Sequence, residues 1–243
     1  MEAETVARTD AETTDAALLL AANRRLGTDR GLFDALSNTG PEVRDISGLY
    51  PGAKPILLLG TDAGEPALRS MPRAPRVLHL ATHGFFLPSP AGPGVLIERA
   101  LTLSGLALAG ANLGLQGEQG ADGEDGILYA LEAQDLDLEG TELTTLSACE
   151  TGLGRVNRSE GVYGLVRAFQ IAGSRHVLMT QWSLNDPPAR RFMVAFYRRW
   201  LSGDDPDDPA AALRATQLDW LGSADPLRAD PRRWAPYVLI ERG

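Results

Sequence analysis

Val77-Leu-His-Leu-Ala-Thr-His83-Gly84-Phe-Phe86 and Leu143-Thr-Thr-Leu-Ser-Ala-Cys149 decide the fold. Each is a nearly continuous apolar run, the pattern of a strand buried on both faces of a parallel sheet. Working outward, Pro55-Ile-Leu-Leu-Leu59 predicts another strand, closed by Gly60, and Val177–Gln181 and Tyr237–Ile240 predict two more. Ala17–Ala21 reads as a first strand or a helical turn, and Arg99–Leu108 as a strand in a hairpin or at an edge. Between these runs the period changes. Val162, Leu165, Val166 and Phe169 recur at helical spacing after Ser159, an expected N-cap, and Gly173 ends that helix. Asp186-Pro187 opens a helix whose apolar stripe is Ala189, Phe192, Met193, Phe196 and Trp200, and Asp208-Pro209 opens another. Gly64–Met71 and Ile127–Ala133 predict short helices. Strands alternating with helices mean an α/β domain with an open, mostly parallel sheet and helices on both faces.

The organisation follows from composition. Residues 1–15 are small, polar and acidic and are expected to form a loose leader, with one domain over 16–243. Pro88–Gly94 reads as a loop, and 110–126, rich in glycine and acid, as a flexible insertion. With 44% hydrophobic and 23% charged residues in 243, the chain can bury a sizeable core. A net charge of -9 argues against nucleic acid or an anionic membrane as partner and mildly favours basic peptide segments. No apolar run is long enough to span a bilayer, and the first residues carry no signal-peptide pattern. A single cysteine excludes an internal disulfide, which suits a reducing cytoplasm. Positive charge is almost all arginine, with Lys54 the only lysine, a skew that points to a GC-rich bacterial coding sequence.

In open α/β sheets reactive groups gather at the carboxyl ends of strands. Two such groups end strands here, each followed by a turn signal: His83-Gly84 and Cys149-Glu-Thr-Gly152. A cysteine hydrolase needs this placement, with a thiol at a strand-to-helix turn near backbone N–H groups and an imidazole close by. The same residues also fit a small buried thiol and a hydrogen-bonded core histidine. His79 reads as structural and His176, beside Arg175, as solvated. Three histidines so placed make no metal-ligand spacing with one cysteine, and no Gly-rich phosphate loop follows a strand. No metal or cofactor is expected.

The ordered blocks Leu78-His-Leu-Ala-Thr-His83-Gly84, Asp125-Gly-Ile-Leu128 and Leu146-Ser-Ala-Cys149-Glu-Thr-Gly152 resemble the CHAT domain family. Further matches follow at Glu160-Gly-Val, Ala168-Phe, Ala172-Gly173, Trp182 with Asp186, Phe196-Tyr197, Ala212-Leu-Arg and Trp234-Ala. The resemblance spans roughly residues 50–243 and implies a caspase-like fold, related to separase, gingipain and legumain. The caspase signature Gln-Ala-Cys is replaced by Ser147-Ala-Cys149-Glu, which removes caspase-type aspartate specificity.

Carried over by position, the resemblance makes Cys149 the nucleophile, His83 its proton-handling partner, and the backbone N–H groups of Gly84 and Cys149 the oxyanion donors. It implies a protein substrate cleaved through an acyl-enzyme, and a regulatory or sensor partner in bacterial defence or cell death. A free thiol titrates near about 8.5, so the site must favour the thiolate. Asp186 is either the carboxylate facing a basic P1 side chain or only a helix cap. Asp125 is a second candidate for that pocket, and Trp182 a pocket wall, a core residue or a stacking platform. Glu150 either shapes the turn or touches substrate. The competing expectation is a catalytically silent scaffold that keeps the fold.

Overall fold

The computed structural model describes residues 17–21, 33, 36–50, 52, 55–86, 101, 104–120, 123–150, 158–182, 184, 186–203 and 208–243. The chain forms β1 (Ala17–Ala21), α1 (Thr39–Ser47), β2 (Ile56–Leu59), α2 (Glu65–Arg69), β3 (Val77–Phe86), β4 (Ser104–Ala107), α3 (Ala111–Gly114) and β5 (Ile127–Tyr129). It continues through α4 (Ala130–Ala133), β6 (Leu143–Glu150), α5 (Arg158–Ile171), β7 (His176–Thr180) and α6 (Asp186–Leu201). Then come α7 (Pro209–Leu221), α8 (Pro226–Ala229), α9 (Pro231–Trp234) and β8 (Tyr237–Glu241). The sheet has eight strands in the order β2-β1-β3-β6-β7-β8, with β4 paired to β3 and β5 to β4. Its centre is parallel, while β4, β5 and β8 run antiparallel to their neighbours. This is the open, mostly parallel α/β sheet expected of the two apolar runs.

β3 is the axis. One of its edges pairs with β6 along Val77–Gly84. The other edge is shared: β1 takes Val77–Ala81 and β4 takes His83–Phe86. The period of two then divides the core. Leu78, Leu80 and Leu146 pack with Leu165, Val166 and Phe169 of α5 on one face. Val77, Ala81 and Leu143 pack with α1, α6 and α7 on the other, against Ile46, Phe192, Phe196 and Trp200. The stripe read from the sequence on α6 is buried throughout. Phe192 stacks on Tyr237 of β8 with centroids 3.9 Å apart, which locks the edge strand to that helix.

Local signals acted with mixed success. Asp208 caps α7, accepting from the Ala211 N–H at 2.8 Å. Gly173 ends α5 at φ 119, where an added Cβ would lie 2.5 Å from the Glu139 nitrogen. Ser159, by contrast, lies inside α5, which begins at Arg158. Ile127–Ala133, expected as one helix, is three strand residues followed by a four-residue helix. Pairing of Ile127–Tyr129 with β4 overrides the helical spacing there. Of Arg99–Leu108, the strand is Ser104–Ala107.

The stretch 110–126, expected as a flexible insertion, holds α3 near its start, with Ala111 and Asn112 buried. Its bounding glycines make a close approach at positive φ, with the Gly126 Cα 3.5 Å from where a Gly110 Cβ would lie. Those two glycines therefore serve backbone packing at the two ends of the stretch. The expected leader, 1–15, and the loop Pro88–Gly94 lie outside the described residues. Among the described residues no helix is long and apolar enough to cross a membrane, and no group of histidine, cysteine and carboxylates has metal-binding geometry.

Candidate active site

The parallel register of β3 and β6 pairs His79 with Thr145, Ala81 with Ser147 and His83 with Cys149. These alternate positions share one face of the sheet, the face covered by α1 and α6. Neighbouring strands lie about 4.8 Å apart, so register alone brings the positions of Cys149 and His83 side by side. The side chain of Cys149 lies outside the described part of the residue.

Two rungs below, the same face is pinned by a buried network. His79 is fully buried, with Nε2 3.0 Å from Glu42 Oε1 and Nδ1 3.1 Å from the Tyr197 hydroxyl. That hydroxyl lies 2.8 Å from Thr145 Oγ1. A carboxylate only accepts, so Nε2–H donates to Glu42, and the Tyr197 hydroxyl links Nδ1 of the ring to Thr145 Oγ1. Burial pushes the Tyr197 hydroxyl well above the usual phenol range, with the Thr145 hydrogen bond opposing it. The network ties α1, β3, β6 and α6 together beneath the candidate dyad.

His83 is 7% exposed and sits between rings and ladders. The Phe33 ring stacks on the imidazole, with centroids 5.6 Å apart and planes at 26°. Asn112 holds Phe33 in place: the Phe33 N–H donates to Asn112 Oδ1 at 2.9 Å, and Asn112 Nδ2 donates to the Phe33 carbonyl at 3.1 Å. Thr82 Oγ1 donates to the Ala107 carbonyl, fixing β4 against β3 at this level. A stacked aromatic excludes water from one imidazole face and favours an imidazolium when one forms. Neither Phe33 nor Asn112 was singled out in the sequence, because an asparagine among glycines reads as turn chemistry. Glu42 carried a weak signal, lying beside Val43 on the apolar side of α1.

The remaining candidates fall on three flanks. Gly84 lies within the sheet, with Leu106 on one side and Glu150 on the other. Glu150 continues β6 as its last residue. Asp125 stands two residues before Ile127, at the far end of the ladder His83–Ala107–Ile127, and its Oδ1 accepts from the Ile127 N–H at 2.8 Å. It belongs to an acidic group with Glu65, Glu124 and Glu132 around Arg69. Burial is the main cause that raises Glu65 to about 7, with Arg69 opposing and the neighbouring carboxylates adding to it.

Beyond β7, Trp182 is partly buried and its Nε1 donates to the Arg232 carbonyl at 3.1 Å, which joins this loop to α9. Asp186 is the first residue of α6, and its side chain lies outside the described part. His176, expected to be solvated, is 5% exposed, and its Nδ1 lies 3.0 Å from the Glu142 carbonyl. Its place between β6 and β8 in the sheet buries it.

An open, mostly parallel sheet with histidine and cysteine in register on adjacent strands is the architecture of a caspase-like α/β domain. The profile of the CHAT domain matches residues 2–242, and the chain belongs to that family, within the caspase-like peptidase clan. It is similar to tetratricopeptide repeat protein 28 of Mus musculus, 31% identical over 114 residues. That stretch covers 47% of this chain and 4% of the mouse protein.

Proposed function

We propose that this domain is a cysteine endopeptidase in which Cys149 is the nucleophile and His83 handles the proton. The observation that carries the reading is the register pair His83–Cys149 at the ends of two central parallel strands. The Cys149 thiolate adds to a substrate carbonyl carbon, and the electron pair moves to oxygen. As the carbon–nitrogen bond breaks, His83 protonates the leaving amine. Water then attacks the thioester, giving a proton back to the imidazole, and the acid product leaves as the thiolate is restored.

The oxyanion is assigned to the N–H groups of Gly84 and Cys149. Gly84 has a strand on each side, so pairing at that rung yields when substrate enters, which suits an enzyme held in check until a partner acts. A repeat protein is a reasonable partner, since the mouse relative carries tetratricopeptide repeats in its name. Defence or programmed death in a bacterial cytoplasm fits such restraint. Basic P1 residues are favoured by the net charge of -9 and by Asp186 and Asp125 near the sheet's site end.

The test is covalent. An electrophilic peptidyl ketone should give a mass adduct on Cys149 that disappears in Cys149→Ala and weakens at least about 100-fold in rate in His83→Ala. No adduct, with or without candidate partners, would leave a scaffold as the better reading. A fluorogenic peptide library that favours an uncharged P1 would remove the assignment of Asp186 and Asp125.

A further inference from the structure

Among α6, α7, α8 and α9, six residues, none of them His83 or Cys149, wall a cavity of about 360 Å³. They are Arg191 and Ala195 of α6, Trp220 of α7, Asp225 and Arg228 at α8, and Arg233 of α9. We propose that this cavity binds a phosphate-bearing small molecule.

Three arginines line it against one aspartate, in a chain whose net charge is -9. The aspartate is already engaged, since Asp225 Oδ1 accepts from the Leu227 N–H at 2.9 Å as the cap of α8. Arg191 is exposed and Arg233 partly buried, and neither is in an ion pair among the described residues, although Arg233 lies close enough to Asp230 to help hold that carboxyl below its usual range. Unpaired cations converging on a concavity raise the local concentration of anions.

Arg228 is pre-set. Its Nη2 donates to Asp219 at 2.6 Å, and its guanidinium carbon sits 5.2 Å from the centroid of the Trp220 ring. Its Nε and the Trp220 Nε1 are both buried without an acceptor among the described residues. Buried donors left unpaired are costly and call for a missing acceptor. A small rotation of the half-exposed Arg228 side chain would present Nε to an oxygen in the cavity.

These donors belong to four helices and number more than the two oxygens of a carboxylate can serve. A tetrahedral phosphate, with three or more strong acceptor oxygens, matches two free guanidinium forks plus an indole N–H. The volume also exceeds a lone phosphate and falls in the range of small-ligand pockets, roughly 300–1,000 Å³. A bounded cavity of this size favours a small ester over an extended chain.

The whole chain should be titrated calorimetrically with inorganic pyrophosphate and, separately, with adenosine monophosphate at constant ionic strength. Binding of either probe is expected, and the Arg191→Ala, Arg233→Ala double variant should weaken it about tenfold or more. Arg167→Ala, an exposed arginine of α5 outside the cavity, should leave the affinity unchanged. Preference for the nucleotide would assign the site to an organic ester, and equal binding of both to the phosphate group alone.

Should the double alanine variant misfold, Arg191→Lys with Arg233→Lys keeps the charge and removes the forks, and severalfold weakening is expected. No heat from either probe up to about 10 mM, or undiminished binding by these variants, would overturn the proposal.

Discussion

Two histidines of one strand, on one face and two rungs apart, have opposite surroundings. His79 has both ring nitrogens bonded, no exposure, and a threonine as its register partner. His83 is stacked against Phe33 towards the carboxyl end of the strand, with a cysteine as its register partner. The strand places both rings alike, and position along it separates their roles. In mid-strand, helices α1 and α6 cover the face and supply a hydrogen-bond partner for each ring nitrogen. Near the carboxyl end, Phe33 on its Asn112 tether stacks on the ring, at the level where the register partner is Cys149. A parallel sheet thus builds an anchor and a candidate site from the same residue type.

The comparison is broken or sharpened most strongly by stability. His79→Ala should cost about 3 kcal/mol, because it strands the buried Glu42 carboxylate and the Tyr197 hydroxyl. His83→Ala removes the ring stacked on Phe33, and a cost clearly below that of His79→Ala is expected. Urea unfolding of the two variants measures the difference, and equal losses would dissolve the distinction between anchor and site.

Asn112→Ala comes next, at about 1–2 kcal/mol, since it frees both backbone groups of Phe33. It should also shift the pH profile of Cys149 alkylation, as Phe33 loosens over His83. A stability loss with an unmoved profile would make Asn112 a purely structural tie.

A further effect is read as a slope against pH and concerns the acidic flank. Folded Glu65 holds its proton to about 7, whereas the unfolded chain releases it near 4.5. Between those values the folded state binds more protons, so this group's stabilising contribution falls as pH rises. Glu65→Gln should therefore flatten the stability profile from pH 5 to 7.5 by about 2 kcal/mol, read as melting temperature against pH. An unchanged slope would show that Arg69 keeps the carboxylate charged.

Much of this arrangement was legible beforehand. The two apolar runs predicted the central strands, the stripe Ala189–Trp200 predicted α6, and His83 with Cys149 stood out at strand ends. Where reading failed, long-range pairing was the cause. Ile127–Tyr129 became a strand because β4 offered it a ladder, and His176 was buried by neighbours on both sides. Asn112 and Phe33, far apart in the chain, meet only in the fold.

The sequence by itself determined the class of fold and the residue types at the strand ends, because periodicity and turn chemistry are local. Only the tertiary structure decided that Glu42 and Tyr197 hold His79 and that Cys149 is the register partner of His83. Register and helix cover are set by contacts between segments far apart in the chain, and no single stretch of residues contains them.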